Sequence, residues 1–122
     1  ATMVGTWVDS DGGSFSLYED GTFSNTAFSD DKDNWTASWD INGDILTINF
    51  EGGEEWVIQT SRFAMSGDGD AVWIQTYFEA SDGSNTSPYC SLFIRESLTN
   101  KGIYTALDYE DDYEKFKPEW CA

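Results

Sequence analysis

From Ser14 to Glu96, polar and apolar residues alternate with period two, and glycine-bearing turns interrupt the alternation at short intervals. Side chains on an extended strand point alternately to its two faces, so such a chain folds as antiparallel strands joined by tight turns. Phe15 and Leu17 alternate with Ser14, Ser16 and Tyr18, and Asp20-Gly21 turns the chain into a strand over 22–28. Trp35, Ala37, Trp39 and Ile41 share one strand face, and Asn42-Gly43 is the strongest hairpin signal, read as the centre of a type I′ turn with positive φ at both residues. Leu46, Ile48 and Phe50 return on one face, and Gly52-Gly53 leads into a strand that runs from Trp56 to Met65. A turn over Gly67-Asp68-Gly69-Asp70, a strand over 71–80, a polar loop over 81–88 and a last strand over 89–96 complete the series. About eight strands joined in sequence by short loops predict an up-and-down antiparallel β-barrel over about 4–97, because closure removes exposed edges. The two halves of a flattened sandwich would show the same alternation.

The tail, 98–122, has a different period. Tyr109, Tyr113, Phe116 and Trp120 recur at helical spacing, Thr105 with Asp108 resembles a capping box, and Pro118 would end the helix. Early acids at Glu110, Asp111 and Asp112 and late lysines at Lys115 and Lys117 complement the helix dipole. The expectation is a helix over about 106–117, packed on the barrel wall within a single domain spanning 1–122. Cys90 and Cys121 are the only cysteines and the chain has no histidine, which leaves too few ligands for a zinc site. A disulfide that pins the tail to the last strand is the simplest account, with a stabilisation of ~3 kcal/mol in the chain-entropy picture. It implies an oxidising compartment, and hence a secreted or periplasmic protein. Two reduced thiols in a cytosolic chain are the alternative. No signal peptide is read in these residues, and a start at Ala1 is what a mature, trimmed chain is expected to show.

Composition excludes more than it assigns. Twenty-three acidic residues against six basic ones give a formal charge of −17, which repels nucleic-acid phosphates and anionic membrane surfaces. No apolar run reaches the roughly 20 residues of a membrane span. The absence of histidine removes Ser-His-Asp and Cys-His nucleophilic machinery, and no phosphate-cradling loop with its lysine is present. The chain is therefore read as a non-enzyme with no cofactor. The acidic turns at Asp9-Ser10-Asp11-Gly12, Asp30-Asp31-Lys32-Asp33 and Asp68-Gly69-Asp70 do not space ligands as a calcium loop does, so no metal is expected. Asn34-Trp35-Thr36 and Asn85-Thr86-Ser87 fit the glycosylation pattern, the second in a polar loop.

Gly5-Thr6-Trp7 on a first strand, barrel strands in series and a C-terminal helix resemble the lipocalin or calycin plan. Tyr18-Glu19-Asp20-Gly21-Thr22-Phe23 is similar to the second hairpin of short bacterial lipocalin-like domains. The resemblance implies that Trp7 packs across the closed barrel end and that Arg95, in Leu92-Phe93-Ile94-Arg95-Glu96, lies over its ring. One such cation–π contact contributes ~0.5–2 kcal/mol. It also implies a small apolar or amphiphilic ligand at the open end. Trp35, Trp39, Trp56, Trp73 and Tyr77 are the candidate lining residues, with Arg62 the candidate holder of a ligand carboxylate if it faces inward. The same rings would alternatively fill a solid core, or, if exposed, form a stacking platform for sugars. A second expectation, from the charge, is capture of a basic protein partner; small acidic disulfide-bearing barrels resemble periplasmic inhibitors of basic lysozymes. Adaptation to a salty habitat is the third account of the acidity.

Overall fold

The computed structural model describes residues 2–26 and 35–121. Eight antiparallel strands form one sheet: β1 Gly5–Val8, β2 Ser14–Leu17, β3 Phe23–Asn25, β4 Thr36–Asn42, β5 Ile45–Gly52, β6 Glu55–Met65, β7 Ala71–Ala80 and β8 Tyr89–Arg95. Their order, β3-β2-β1-β8-β7-β6-β5-β4, brings the first strand against the last, Trp7 opposite Arg95 and Val8 opposite Ile94. The seam between β3 and β4 is spanned by a bridge between Thr22 and Ser38. Beside it, the Trp39 backbone amide donates to the Gly21 carbonyl at 2.9 Å. The result is a nearly closed up-and-down barrel. Among the described residues no helix is long and apolar enough to cross a membrane.

The turns follow from their residues, with one change from expectation. Asn42 stays in β4, paired with Ile45, so the two-residue loop is Gly43-Asp44. Positive φ occurs there only at Gly43 (64°), as in a type II′ turn rather than I′. Gly52 pairs with Glu55 in the same way, and Gly53 takes φ 67°. The expected strand over 22–28 is described only as far as Asn25, and residues 27–34 lie outside the described part, with Asp30-Asp31-Lys32-Asp33 and Asn34 among them.

Two apolar clusters separate the faces of the sheet. Trp7, Phe15, Leu17, Phe23, Leu46, Ile48, Phe50, Val72 and Ile74 form the interior. Val8, Ala71, Trp73, Leu92 and Ile94 lie on the outer wall of β1, β7 and β8, where the tail covers them. That tail begins with a 3₁₀ turn, Glu96–Thr99, followed by α1, Ala106–Tyr113. The capping box is complete with aspartate in the distal place. Thr105 Oγ1 accepts from the Leu107 amide at 3.3 Å, and Asp108 Oδ2 accepts from the Thr105 amide at 2.8 Å. The helix is shorter than the expected 106–117, because its last turn tightens into a 3₁₀ segment, Glu114–Phe116, ahead of Pro118. That tightening rotates Phe116 away from the stripe: it is 46% exposed, while Tyr113 and Cys121 are buried. Cys121 is disulfide-bonded to Cys90 on β8, with Cα atoms 5.4 Å apart.

The opposite end of the barrel is closed by Trp7, which is fully buried. Its indole N–H donates to the Met3 carbonyl at 3.0 Å, and the Arg95 guanidinium lies 3.9 Å above the ring. The same guanidinium donates to the carbonyls of Gly69 (3.0 Å), Val4 (2.7 Å) and Thr2. Burial lowers the Arg95 pKa, and the nearby Asp70 charge opposes the shift. Glycine is required next to this stack. Gly5 has φ +128°, and a Cβ there would sit 2.8 Å from Arg95 Nη1.

Gly5→Ala therefore meets backbone strain and a displaced guanidinium together, and is expected to cost ~1–3 kcal/mol. Gly83→Ala meets strain alone, since φ is +87° and no atom lies within 4 Å of its Cβ. Urea unfolding of both variants should show the larger loss at Gly5; equal losses would remove the Arg95 stack as the cause.

Candidate functional site

A cavity of about 220 Å³ occupies the barrel interior. It reaches the end opposite Trp7, where Asp9, Thr26 and Tyr89 line it. Strand parity builds its walls. Phe15, Phe23, Leu46, Ile48, Ile74 and Phe93 make an apolar side, with Phe15 at 6.1 Å from Phe23 and 5.0 Å from Phe93 between ring centroids. Gln59 and Ser61 on β6, Thr76 on β7 and Ser91 on β8 make a polar stripe across three adjacent strands. The Ser61 and Thr76 hydroxyls are directly paired across β6 and β7 at 2.9 Å, and the Gln59 amide nitrogen donates to Ser61 at 3.4 Å. The Ser91 hydroxyl makes no hydrogen bond to a described residue, yet among the described residues no buried side-chain polar atom lacks a partner. That hydroxyl therefore keeps access to the cavity space. The stripe is a set of neutral donors and acceptors facing a ring-lined wall.

Asp9 is held at the mouth by a tight set of bonds. Its Oδ1 accepts from the backbone amides of Asp11 (2.9 Å) and Gly13 (2.8 Å). Its own amide donates to the Gly13 carbonyl at 2.8 Å, and its carbonyl accepts from the first α1 amide, Ala106, at 3.2 Å. Oδ2 accepts no hydrogen bond from a described residue. The other acidic turn, 66–70, works similarly: Asp68 accepts from the Ser66 hydroxyl and the Asp70 amide. Both aspartates thus act as turn residues. Among the described residues no group of three or more cysteine, aspartate or glutamate side chains converges.

None of the six aromatic and arginine residues singled out in the sequence lines this cavity. Trp35 and Trp39 do share the inner face and pack against the interior cluster, but each has a structural place. The Trp35 ring lies against Gly52, where a Cβ would come 2.2 Å from it. The Trp39 indole N–H donates to the Tyr18 carbonyl at 2.9 Å, across the β3–β4 seam. The other four are corrected to the outside by parity, since Val57, Ile74 and Thr76 take the inner positions. Trp56, 40% exposed, and Tyr77 meet on the outer wall in a shallow hollow beside Ser84, Asn85 and Thr86. Trp73 is buried under the tail, donating to the Tyr113 carbonyl at 3.1 Å, with Lys117 Nζ 5.1 Å above its ring. Arg62 faces solvent, paired with Asp44 at 3.1 Å and stacked 4.8 Å over the Trp120 ring, so it holds no ligand carboxylate in the barrel.

The residues missed were the small polar ones. Gln59 and Ser61 stand in phase with Val57, Phe63 and Met65 on β6, and that phase was the available signal. No known family, curated protein or solved structure matches this chain.

The tail is docked partly by a titratable pair. The Tyr113 hydroxyl donates to Asp68 Oδ2 at 3.0 Å. Burial first, then this bond, push the phenol up to about 12. The Ser66 hydroxyl first, then the Asp70 amide, hold Asp68 below the ordinary carboxylate range. A folded-state pKa raised above the unfolded value means that the Tyr113 contribution is complete below the unfolded pKa near 10 and is lost as pH rises to about 12. Ultraviolet tyrosinate titration should show one late phenol that ionises with tail release, and Asp68→Asn should bring it earlier. Identical titrations for both proteins would reject the coupling.

Proposed function

We propose that this chain is a non-enzymatic, extracytoplasmic, lipocalin-like domain that binds a small amphiphilic ligand inside its barrel. The observation that carries this reading is the two-sided cavity, apolar rings facing the Gln59–Ser61–Thr76–Ser91 stripe, which suits a ligand with an apolar body and one polar edge. Its volume, about 220 Å³, is below the ~300–1,000 Å³ of drug-sized sites, so the ligand is compact rather than a long acyl chain. The Cys90–Cys121 disulfide supports an oxidising compartment. A charge of −17 argues against nucleic acid and anionic membrane surfaces as partners.

Native mass spectrometry after incubation with a mixed lipid and metabolite extract tests this reading. A discrete adduct is expected that disappears on denaturation and is lost in Ser91→Phe, whose ring would occupy the cavity. A native spectrum free of adducts, or an adduct that Ser91→Phe leaves in place, would overturn it.

A second reading, capture of a basic protein, is favoured by one surface. Asn100 and Lys101 hold positive φ (47° and 60°) although neither is glycine, and Gly102 follows at 94°. This strained segment presents Ile103 (68% exposed) and Tyr104, next to Leu107 (64% exposed) and the acidic Asp108, Glu110, Asp111 and Asp112. Lysozyme binding that survives ~0.5 M salt and weakens on Ile103→Asp would support it, since screening alone removes diffuse attraction. Loss of all binding at that salt would reject it.

A further inference from the structure

We infer that the ligand of this cavity is a small organic cation, an ammonium group on an apolar body, with its charge directed to Asp9 at the mouth. This inference rests on the ligand-binding reading above and narrows it to one chemical class. Among the described residues lining the cavity, Asp9 is the only charged one. A carboxylate or phosphate ligand would therefore meet no counter-charge among the described lining residues, and the desolvation cost would disfavour it. Of the described basic residues, Arg95 lies on Trp7, Arg62 on Asp44 and Trp120, Lys117 over Trp73 and Lys115 over Phe116, and Lys101 is not among those that line the cavity.

The rest of the lining suits a cation. Phe15, Phe23, Phe78, Tyr89 and Phe93 present aromatic rings to the same space, and the negative faces of such rings attract ammonium groups. Asp9 is positioned rather than mobile, because its Oδ1 is fixed by two backbone amides while Oδ2 accepts no hydrogen bond from a described residue. A fixed carboxylate oxygen with spare acceptor capacity beside a ring-lined cavity forms a charge-assisted bond with an incoming N–H. The net charge of −17 adds a field that concentrates cations near the mouth.

Three probes of one shape test this on the whole chain: phenethylammonium, phenethyl alcohol and phenylacetate, titrated by calorimetry at physiological and at about 0.5 M salt, where the Debye length is only ~4 Å. At the higher salt the ammonium is expected to bind about tenfold tighter than the alcohol, and phenylacetate weakest. Asp9→Asn keeps an oxygen for the Asp11 and Gly13 amides, and should weaken the ammonium about tenfold and the alcohol much less, so that the ammonium-to-alcohol ratio falls. Equal or tighter binding of the alcohol at high salt, or an Asp9→Asn protein that retains full ammonium affinity, would overturn the cation inference while the binding barrel stands. Should Asp9→Asn fail to fold, the ammonium-to-alcohol ratio of the unaltered protein decides alone. Binding of none of the three would overturn both the inference and the reading on which it rests.

Discussion

The stack of Arg95 on Trp7 is the constraint on which the barrel depends. One guanidinium at the end of β8 covers the ring of β1 and gathers carbonyls from Thr2, Val4 and Gly69. It therefore joins the chain start, the last strand and the turn after β6 in one place. Pairing of β1 with β8 involves few residues, so this side-chain assembly supplies closure that backbone bonds alone leave weak. The cost appears as glycine at position 5, in a backbone conformation that other residues resist.

Closing one end with a large ring leaves a cavity toward the other. The interior is packed with bulky side chains around Trp7, and its cavity lies where Gln59, Ser61, Thr76 and Ser91 face the apolar rings. Ser61 and Thr76 satisfy each other, so burying them costs little. The polar stripe is compatible with a stable core for that reason, and it distinguishes a lined cavity from a packing defect.

Much of the fold was legible in the sequence. The Gly43, Gly53 and Asp68–Asp70 turns mark hairpins by local chemistry, and Thr105 with Asp108 marks the helix start. Cys90 and Cys121 had only each other as partners. The lining was not legible, and β7 shows why. Ala71, Val72, Trp73 and Ile74 are all buried, because the tail covers the outer face while the barrel encloses the inner one. With both faces apolar, alternation carries no phase, and Trp73 read as interior when it is exterior. The sequence left the direction of Arg62 open for a related reason: its polarity identifies it as an outer residue only once Ser61 is known to be an inner one.

By itself, the sequence determined the series of strands, the glycines at which it turns, the helix start and an excess of negative charge, and made a disulfide the simplest account of two cysteines, because each is set by residues adjacent in the chain or by simple counting. Tertiary structure alone decided which face of each strand points inward, that Trp39 bonds across the seam, and that Asp9 stands at the mouth of a cavity. Inward and outward are defined only after β1 meets β8, and that pairing joins residues from opposite ends of the chain.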